Sequence, residues 1–239
     1  MALAGAAAYA APMRIEPLRI CVKDGETVSA ILLAPDQIVA GYVLAHGAGA
    51  GMTHPFLTHV AEGLAEGGIA TLRYQFPYME KGSRHPDRPA ITWATARAAV
   101  MAAARLLPEA PLIAGGKSFG GRMTSQAQAD SPLPRVSGLI FLGFPLHPAG
   151  RPSDVRADHL TNIRIPMLFI QGGRDRLADT RLMSAVMERL KGRATLEVIE
   201  GAGHSFHLPA RSGQTDRQAL EQILDTIVAW ARRIRLDPA

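Results

Sequence analysis

Apolar positions along the chain follow two patterns that alternate. Short continuous apolar runs are separated by longer segments in which apolar residues recur at helical spacing. The short runs predict β-strands, and the longer segments predict amphipathic helices. The predicted strands are Leu18–Val22, Val28–Leu33, Val39–His46, Ile69–Tyr74, Leu112–Gly115, Gly138–Gly143, Met167–Gln171 and Leu196–Ile199.

The character of the apolar runs changes along the chain. The first two runs lie close together and join through Asp24-Gly25, which predicts an antiparallel hairpin. The later runs, such as 139–142, are apolar at every position, which is typical of strands buried on both faces. Because strands and helices alternate after Val39, the sequence predicts an α/β fold with a mainly parallel sheet.

The helical segments have readable ends. The spacing of apolar residues predicts helices over Phe56–Glu66, Pro89–Leu107 and Thr180–Leu190. A last helix is expected after Thr215, because Thr215 and Gln218 have the spacing of a capping box.

The organisation of the chain is simple. No linker rich in Pro, Gly or Ser divides it, so we expect residues 1–239 to form a single domain. Residues 144–165 are polar, contain prolines and lie between two predicted core strands. We expect this stretch to form a short lid-like segment that covers or borders a site.

Composition and charge narrow the class of protein. Hydrophobic residues make up 47% of the chain and charged residues 20%, which excludes a disordered or fibrous protein. The formal net charge is +5, but basic residues are scattered, apart from a cluster near Arg233 at the end of the last predicted helix. Cations there complement the helix dipole, so we expect no nucleic-acid partner.

The sequence also bears on the compartment. No stretch approaches the ~20 apolar residues that a membrane helix needs, so we expect no membrane association. Residues 1–13 are rich in alanine and carry no positive charge before Arg14, and we interpret them as an N-terminal extension of a cytoplasmic protein. Cys21 is the single cysteine, so an intramolecular disulfide is impossible and a cysteine-rich metal site is excluded.

The sharpest chemical signal is the run Gly116-Lys117-Ser118-Phe119-Gly120. It reads G-x-S-x-G and stands between a predicted strand and a helical stretch, the context of a nucleophile elbow. In such an elbow the serine occupies a strained turn that exposes its hydroxyl, and small flanking residues let strand and helix approach. A phosphate-binding loop is excluded, because that motif needs a glycine where Pro111 stands.

A serine nucleophile needs a base and an acid that orients the base. Asp175 follows one late predicted strand and His204 follows the next, in the order Ser, acid, His that this motif requires. Asp179 is an alternative acid, although it is better placed to cap the following helix. His207 is an alternative base, but it lacks the glycine-framed loop around His204.

The oxyanion formed in acyl transfer needs two backbone N–H donors. Phe119 supplies one, because it directly follows the nucleophile. The second is expected from the glycine-rich run after the third predicted strand, with Ala48 as the first choice and Gly49 as the next. We expect His46 to order this loop rather than to react. The run is not a dinucleotide-binding motif, because the pattern G-x-G-x-x-G needs a glycine where Met52 stands.

These residues resemble those of the α/β-hydrolase superfamily over nearly the whole chain. Four short motifs, at His46–Gly51, 76–78, 115–122 and 143–147, resemble those of a narrower group, the dienelactone-hydrolase-like subgroup. This subgroup includes relatives of a testis-expressed protein and of a chromatin-complex subunit. Dienelactone hydrolases themselves use a cysteine nucleophile, whereas this elbow carries Ser118. Dienelactone is therefore not the expected substrate.

The resemblance implies an α/β-hydrolase fold with an eight-stranded, mostly parallel sheet flanked by helices. Only 144–165 occupies the interval in which relatives insert a cap, so a large cap domain is not expected. The implied activity is that of a cofactor-independent serine esterase acting on small or exposed acyl groups. Peptide, thioester and lactone cleavage use the same triad and stay open, as does a non-catalytic protein-binding module.

Substrate contacts are expected from loops at the edge of the sheet that carries Ser118. The candidate apolar residues are Met52, Tyr78, Phe144, Leu146 and Phe206. His54, Lys117 and Arg122 could meet an acidic substrate, although solvated or structural roles are the simpler interpretation. Because the sequence has no group of histidines and carboxylates at metal-ligand spacing, we expect no metal or other cofactor, and the partner is a small-molecule ester.

Overall fold

The computed structural model describes residues 13–23 and 25–236. Within this part of the chain, eight strands form one sheet in the order β1-β2-β4-β3-β5-β6-β7-β8. The strands are β1 Met13–Lys23, β2 Glu26–Pro35, β3 Ala40–Ala45, β4 Ile69–Tyr74, β5 Leu112–Lys117, β6 Val136–Leu142, β7 Met167–Gly172 and β8 Ala194–Ile199.

The direction of the strands follows the change in apolar pattern. Strand β2 pairs antiparallel with β1 and with β4, while every pair from β4 through β8 is parallel. The hairpin between β1 and β2 is present, with Lys23 opposite Glu26, and Asp24 of its turn lies outside the described residues. The predicted N-terminal extension, 1–13, also lies outside them except for Met13.

Helices cover both faces of the sheet. They are α1 Pro55–Glu66, α2 Pro77–Glu80, α3 Pro89–Leu106, α4 Phe119–Asp130, α5 Thr180–Arg189 and α6 Asp216–Leu236. Buried side chains of α1 and α6 pack together in the core on one face, and those of α3, α4 and α5 pack in the core on the other face. The sheet is therefore buried on both sides, which explains the continuous apolar runs of its central strands.

Differences from the predicted boundaries have physical causes. Strand β1 begins five residues before the predicted Leu18, because it is an edge strand whose residues are mostly exposed and partly polar. Helix α4 has little apolar periodicity, since it contains glycine, glutamine and serine on a buried face. The capping box of α6 is present: the Gln218 N–H donates to Thr215 Oγ1 at 3.2 Å, and the Thr215 N–H donates to Gln218 Oε1 at 2.8 Å.

The predicted sheet without a large cap is confirmed. Between β6 and β7 the chain forms loops and one 3₁₀ helix, Val155–Asn162. Ala157 and Leu160 of this helix are buried, and its residues pack against α4. In the described part of the chain, no helix is long and apolar enough to cross a membrane.

Candidate active site

Ser118 stands at the turn between β5 and α4. Its backbone has φ 49° and ψ −114°, a left-handed conformation that is rarely adopted by residues other than glycine. A side chain at Gly116 would collide with the carbonyl of Ala45, and one at Gly120 would collide with the carbonyl of His46. The small residues of the motif therefore allow β5 and α4 to approach β3, and this packing holds the strained turn.

A chain of hydrogen bonds joins the three residues that the sequence singled out. The distance from Ser118 Oγ to His204 Nε2 is 2.8 Å, and the distance from His204 Nδ1 to Asp175 Oδ2 is 2.6 Å. The Asp175 side chain is fully buried, whereas 28% of the His204 side chain is exposed. With the hydroxyl donating to Nε2, His204 can accept the serine proton while Asp175 holds its other nitrogen in the N–H form.

The carboxylate of Asp175 has two further donors. The Leu177 N–H donates to Oδ1 at 2.8 Å, and the Gln171 side-chain amide donates to Oδ2. The alternative residues have other partners: Asp179 accepts from the N–H groups of Arg181 and Leu182 and caps α5. His207 pairs with Asp216 at 2.8 Å.

The predicted oxyanion donors flank the nucleophile. Ala48 and Ser118 line the same cavity, and Phe119 begins α4 directly after Ser118. In residues 13–23 and 25–236, neither the Ala48 N–H nor the Phe119 N–H donates to another protein group. Both amides therefore lack a protein acceptor in this part of the chain, which is a condition for donating to a substrate oxygen.

Two buried side chains fix the peptide planes of the loop that carries Ala48, residues 47–50, which we call the oxyanion loop after its expected role. The Phe76 N–H donates to His46 Nε2 at 3.0 Å, so the proton of the neutral ring lies on Nδ1, which donates to the Gly47 carbonyl at 2.7 Å. The Tyr78 hydroxyl donates to the Ala48 carbonyl at 2.9 Å. Because the N–H of a trans peptide points opposite to its C=O, fixing the Gly47 carbonyl also fixes the Ala48 N–H.

Burial keeps the His46 ring neutral. Its side chain has no exposed surface, and burial lowers its pKa to about 4, although the Gly47 carbonyl acts in the opposite direction. Burial likewise raises the pKa of Tyr78 to about 12, with the nearby charge of Asp87 acting in the same direction. Both side chains are therefore uncharged near neutral pH.

Lys117 supports the other side of the nucleophile. Its ammonium donates to the His204 carbonyl at 2.6 Å and lies 5.2 Å from the centre of the Phe206 ring. Burial lowers its pKa to about 8, while the negative charge of Asp175 opposes this shift. Lys117 thus ties the end of β5 to the loop that presents His204, and its charge is directed away from solvent.

The cavity beside Ser118 has a volume of about 330 Å³. Besides Ser118, Lys117, His204 and Ser205, its walls are residues 47–50 and the region around the start of α1, namely His54, Phe56 and Leu57. His54 accepts from the Phe56 N–H at 3.3 Å as the cap of this helix. Among the described residues, histidine, cysteine and carboxylates form no group of three that could hold a metal ion.

None of the predicted apolar substrate contacts lines the cavity at Ser118, although Phe206 lines a neighbouring cavity. Tyr78, Phe144, Leu146 and Phe206 are between 0% and 4% exposed, and neither they nor Met52 line the cavity at Ser118. Phe144 packs on Phe141 and Phe169 in the core, and Tyr78 contacts the oxyanion loop through its hydroxyl. Large apolar residues near a sheet edge fill the core first, and the sequence pattern does not separate the two roles.

Sequence reasoning also missed several contributors. The roles of Tyr78 and Gln171 as hydrogen-bond donors and of Phe56 as a cavity wall arise from contacts distant in sequence.

Arg122 lies one turn after Ser118, and its Nε is buried with no partner in the described residues. Burial and the positive charge of Arg156 both lower the pKa of Arg122.

Comparison with known proteins gives a family and several relatives. The alpha/beta hydrolase domain family matches residues 39–232. A protein of Mycobacterium tuberculosis named phosphoribosyl transferase is 28% identical over 218 residues, which cover 90% of this chain and 47% of that protein. This chain thus spans about half the length of the curated relatives that it matches.

Solved structures share the fold at low identity. A dienelactone hydrolase from Anabaena variabilis has a TM-score of 0.73 at 21% identity, over 91% of this chain and 96% of that chain. A serine hydrolase without a lid from Xanthomonas campestris has a TM-score of 0.71 at 23% identity, over 95% and 97%. An esterase from Pyrococcus furiosus has a TM-score of 0.70 at 14% identity, over 92% and 91%.

Proposed function

The chain belongs to the alpha/beta hydrolase domain family, and from that premise we propose that it is a serine hydrolase that cleaves carboxylic esters. The observation that carries the proposal is the hydrogen-bonded chain from Ser118 through His204 to Asp175, which opens on a cavity. A hydroxyl, an imidazole and a buried carboxylate in this order form the machinery of nucleophilic acyl transfer.

The first half of the reaction forms an acyl-enzyme. Ser118 Oγ attacks the ester carbonyl carbon while His204 Nε2 takes its proton, and Asp175 stabilises the imidazolium. The negative charge that develops on the carbonyl oxygen is met by the N–H groups of Phe119 and Ala48. The carbon–oxygen bond to the leaving group then breaks, and His204 donates its proton to that oxygen, which releases the alcohol.

The second half returns the enzyme to its starting state. A water molecule gives a proton to His204 Nε2 as its oxygen attacks the acyl carbon. Breaking of the bond to Ser118 Oγ releases the carboxylic acid, and the proton returns to the serine. Every proton in the cycle is carried by His204, so the chemistry needs no metal or organic cofactor.

The small size of the cavity supports a small acyl group rather than a large peptide or polymer as the substrate. The cavity of about 330 Å³ lies at the small end of the ~300–1,000 Å³ range of ligand sites. The phosphoribosyl transferase name of the mycobacterial relative gives no second candidate, because this chain spans only 47% of that protein.

The proposal is tested by the turnover of p-nitrophenyl butyrate. We expect Ser118→Ala to lower kcat by at least about 10³-fold, because it removes the hydroxyl that is hydrogen-bonded to His204 and forms the acyl-enzyme. Ser184→Ala is the matched control, since Ser184 is exposed on α5, and we expect it to keep wild-type turnover. Wild-type turnover in a folded Ser118→Ala variant would overturn the proposal.

A further inference from the structure

A second cavity shares walls with the cavity at Ser118. It has a volume of about 500 Å³, and Phe56 and Ser205 line both cavities. Its remaining apolar walls are Phe206, in the turn after His204, and Leu220 and Ile223 on α6. We call the space bounded by these five residues the apolar groove. The two cavities therefore adjoin at Phe56 and Ser205, and the groove is the neighbouring space towards which a ligand extending past Ser205 is directed.

The chemistry of the groove favours an apolar ligand with a polar end. The rings of Phe56 and Phe206 stack with their centres 5.6 Å apart, and Leu220 lies beside them only partly buried. The groove is also lined by His59, His207, Asp216 and Arg217, of which His207 pairs with Asp216. A site of this kind gains affinity by taking alkyl or aryl surface out of water.

The backbone of Phe206 is strained in a way that places its ring in the groove. Its φ is 64°, which is uncommon for a bulky residue. The Phe206 N–H donates to the Gly203 carbonyl at 3.0 Å, and the Gly203 N–H donates to the His207 carbonyl at 3.1 Å. The same tight turn therefore presents His204 to Ser118 and the Phe206 ring to the groove.

The position of His204 tells which part of a substrate reaches the groove. The leaving oxygen must come within hydrogen-bond distance of Nε2 to receive its proton. The residues that directly follow His204, Ser205 and Phe206, form walls of the groove. Ala48, the donor proposed for the carbonyl oxygen, lines only the cavity at Ser118.

We propose that the apolar groove binds the alcohol portion of the ester, so that the substrates are esters of extended hydrophobic alcohols. This inference rests on the proposed function and adds the substrate class to it. The acyl portion stays in the smaller cavity beside Ser118, against the oxyanion loop. An alcohol chain that leaves the site passes Ser205 and lies along Phe206 and Leu220.

The first test varies the alcohol and the acyl group separately. From ethyl to hexyl acetate, we expect kcat/KM to rise by at least about 10-fold, because each buried methylene contributes up to ~0.8 kcal/mol. Lengthening the acyl group from ethyl acetate to ethyl hexanoate should change kcat/KM much less. An equal or larger rise in the acyl series would overturn the inference.

Substitutions on α6 locate the effect. Leu220→Arg places a charged side chain in the groove, and we expect the ratio of hexyl to ethyl acetate kcat/KM to fall to near one. Leu220→Gln is a milder second variant, for which we expect an intermediate ratio. Arg233→Glu lies on the same helix outside the groove, and it should keep the wild-type ratio. A wild-type ratio in a folded Leu220→Arg variant would contradict the groove.

A binding measurement separates this inference from the proposed function. Calorimetry of 1-octanol with Ser118→Ala requires the groove but no turnover, and we expect saturable binding that Leu220→Arg abolishes. Octanol binding together with no ester turnover by the wild type would support a binding groove and overturn the proposed function. Turnover without octanol binding and without dependence on alcohol length would keep the function and overturn the groove.

Discussion

The two sides of Ser118 are supported by different physical means. On the side of the proposed oxyanion donors, the loop at Ala48 is held by His46 and Tyr78, both buried and uncharged near neutral pH. On the side of the base, His204 is held by two ionisable groups, the buried carboxylate of Asp175 and the buried amine of Lys117. The loop at Ala48 is thus held by hydrogen bonds from neutral side chains, whereas His204 is held by side chains that can carry a charge.

The difference matches what happens on each side in the proposed reaction. Two backbone N–H groups stabilise the oxyanion, so the residues that support them need only fix the orientation of two peptide planes. His204 gains and loses a positive charge during the cycle, and a buried carboxylate stabilises that charge. We therefore expect the charged side to respond most to loss of charge, and the neutral side to fail when His46 becomes protonated.

The largest effect is expected from removing charge on the base side. Asp175→Asn keeps the shape of the side chain but cannot stabilise the imidazolium, and its amide favours the wrong tautomer of His204. We expect kcat for p-nitrophenyl butyrate to fall by about 10⁴-fold, as in other triads. Asp179→Asn, in the cap of α5, should leave kcat unchanged and change the melting temperature little, because an Asn oxygen caps a helix as well as a carboxylate does. A fall in kcat with Asp179→Asn and not with Asp175→Asn would reverse the assignment of the acid.

The next effect is on stability in acid. The pKa of His46 is about 4 in the folded protein, below its ordinary value of 6.5. Between these two values the imidazole is protonated in the unfolded chain but neutral in the folded protein. Between pH 7 and pH 5 this linkage should lower the free energy of unfolding by about 2 kcal/mol. His159, whose pKa burial also lowers to about 4, adds a contribution of the same sign. Urea unfolding at both pH values measures the total.

Two variants assign the acid effect to its residue. His46→Asn should reduce the difference between the two pH values by about 2 kcal/mol, whatever its own stability is. His85→Asn should leave the difference unchanged, because the His85 side chain is exposed. The same difference in wild type and His46→Asn would contradict a buried, neutral His46.

A smaller effect is expected from the neutral side at constant pH. Tyr78→Phe removes the hydroxyl that holds the Ala48 carbonyl, and we expect about a 10-fold lower kcat from the less ordered loop. Tyr42→Phe is the matched control, because the Tyr42 hydroxyl also donates to a buried carbonyl, that of Ile140, at 3.1 Å. Each variant should lose about 1 kcal/mol of stability, whereas only Tyr78→Phe should lose activity. Equal kcat values for the two variants would show that Tyr78 acts only on stability.

The smallest effect concerns Lys117 in alkali. Its pKa is about 8, so the ammonium loses its proton as the pH rises through 8, and its hydrogen bond to the His204 carbonyl weakens. We expect kcat to fall by about five-fold between pH 7 and pH 9, the effect of ~1 kcal/mol. Lys117→Met should have a lower kcat at pH 7 and no further fall up to pH 9. An unchanged alkaline fall in this variant would assign it to another group.

The sequence predicts some parts of this site better than others. The proposed triad could be located because its members follow strand ends, and parallel strands bring their carboxyl ends to one edge of a sheet. The role of Tyr78 could not be found, since it depends on α2 lying over the oxyanion loop. The sequence places Phe144 and Leu146 in the pocket, because an apolar residue near a sheet edge has the same pattern whether it lines a cavity or fills the core.

Labelling with a serine-directed fluorophosphonate tests the central claim most directly, because the probe reacts with an activated serine before any substrate is known. With peptide mass spectrometry as the readout, we expect one modification on the wild-type chain, at Ser118. The modification should be absent in Ser118→Ala and strongly slowed in His204→Ala, which keeps the serine and removes its base. A folded wild-type protein that stays unmodified, or one that is modified at another serine, would contradict the account.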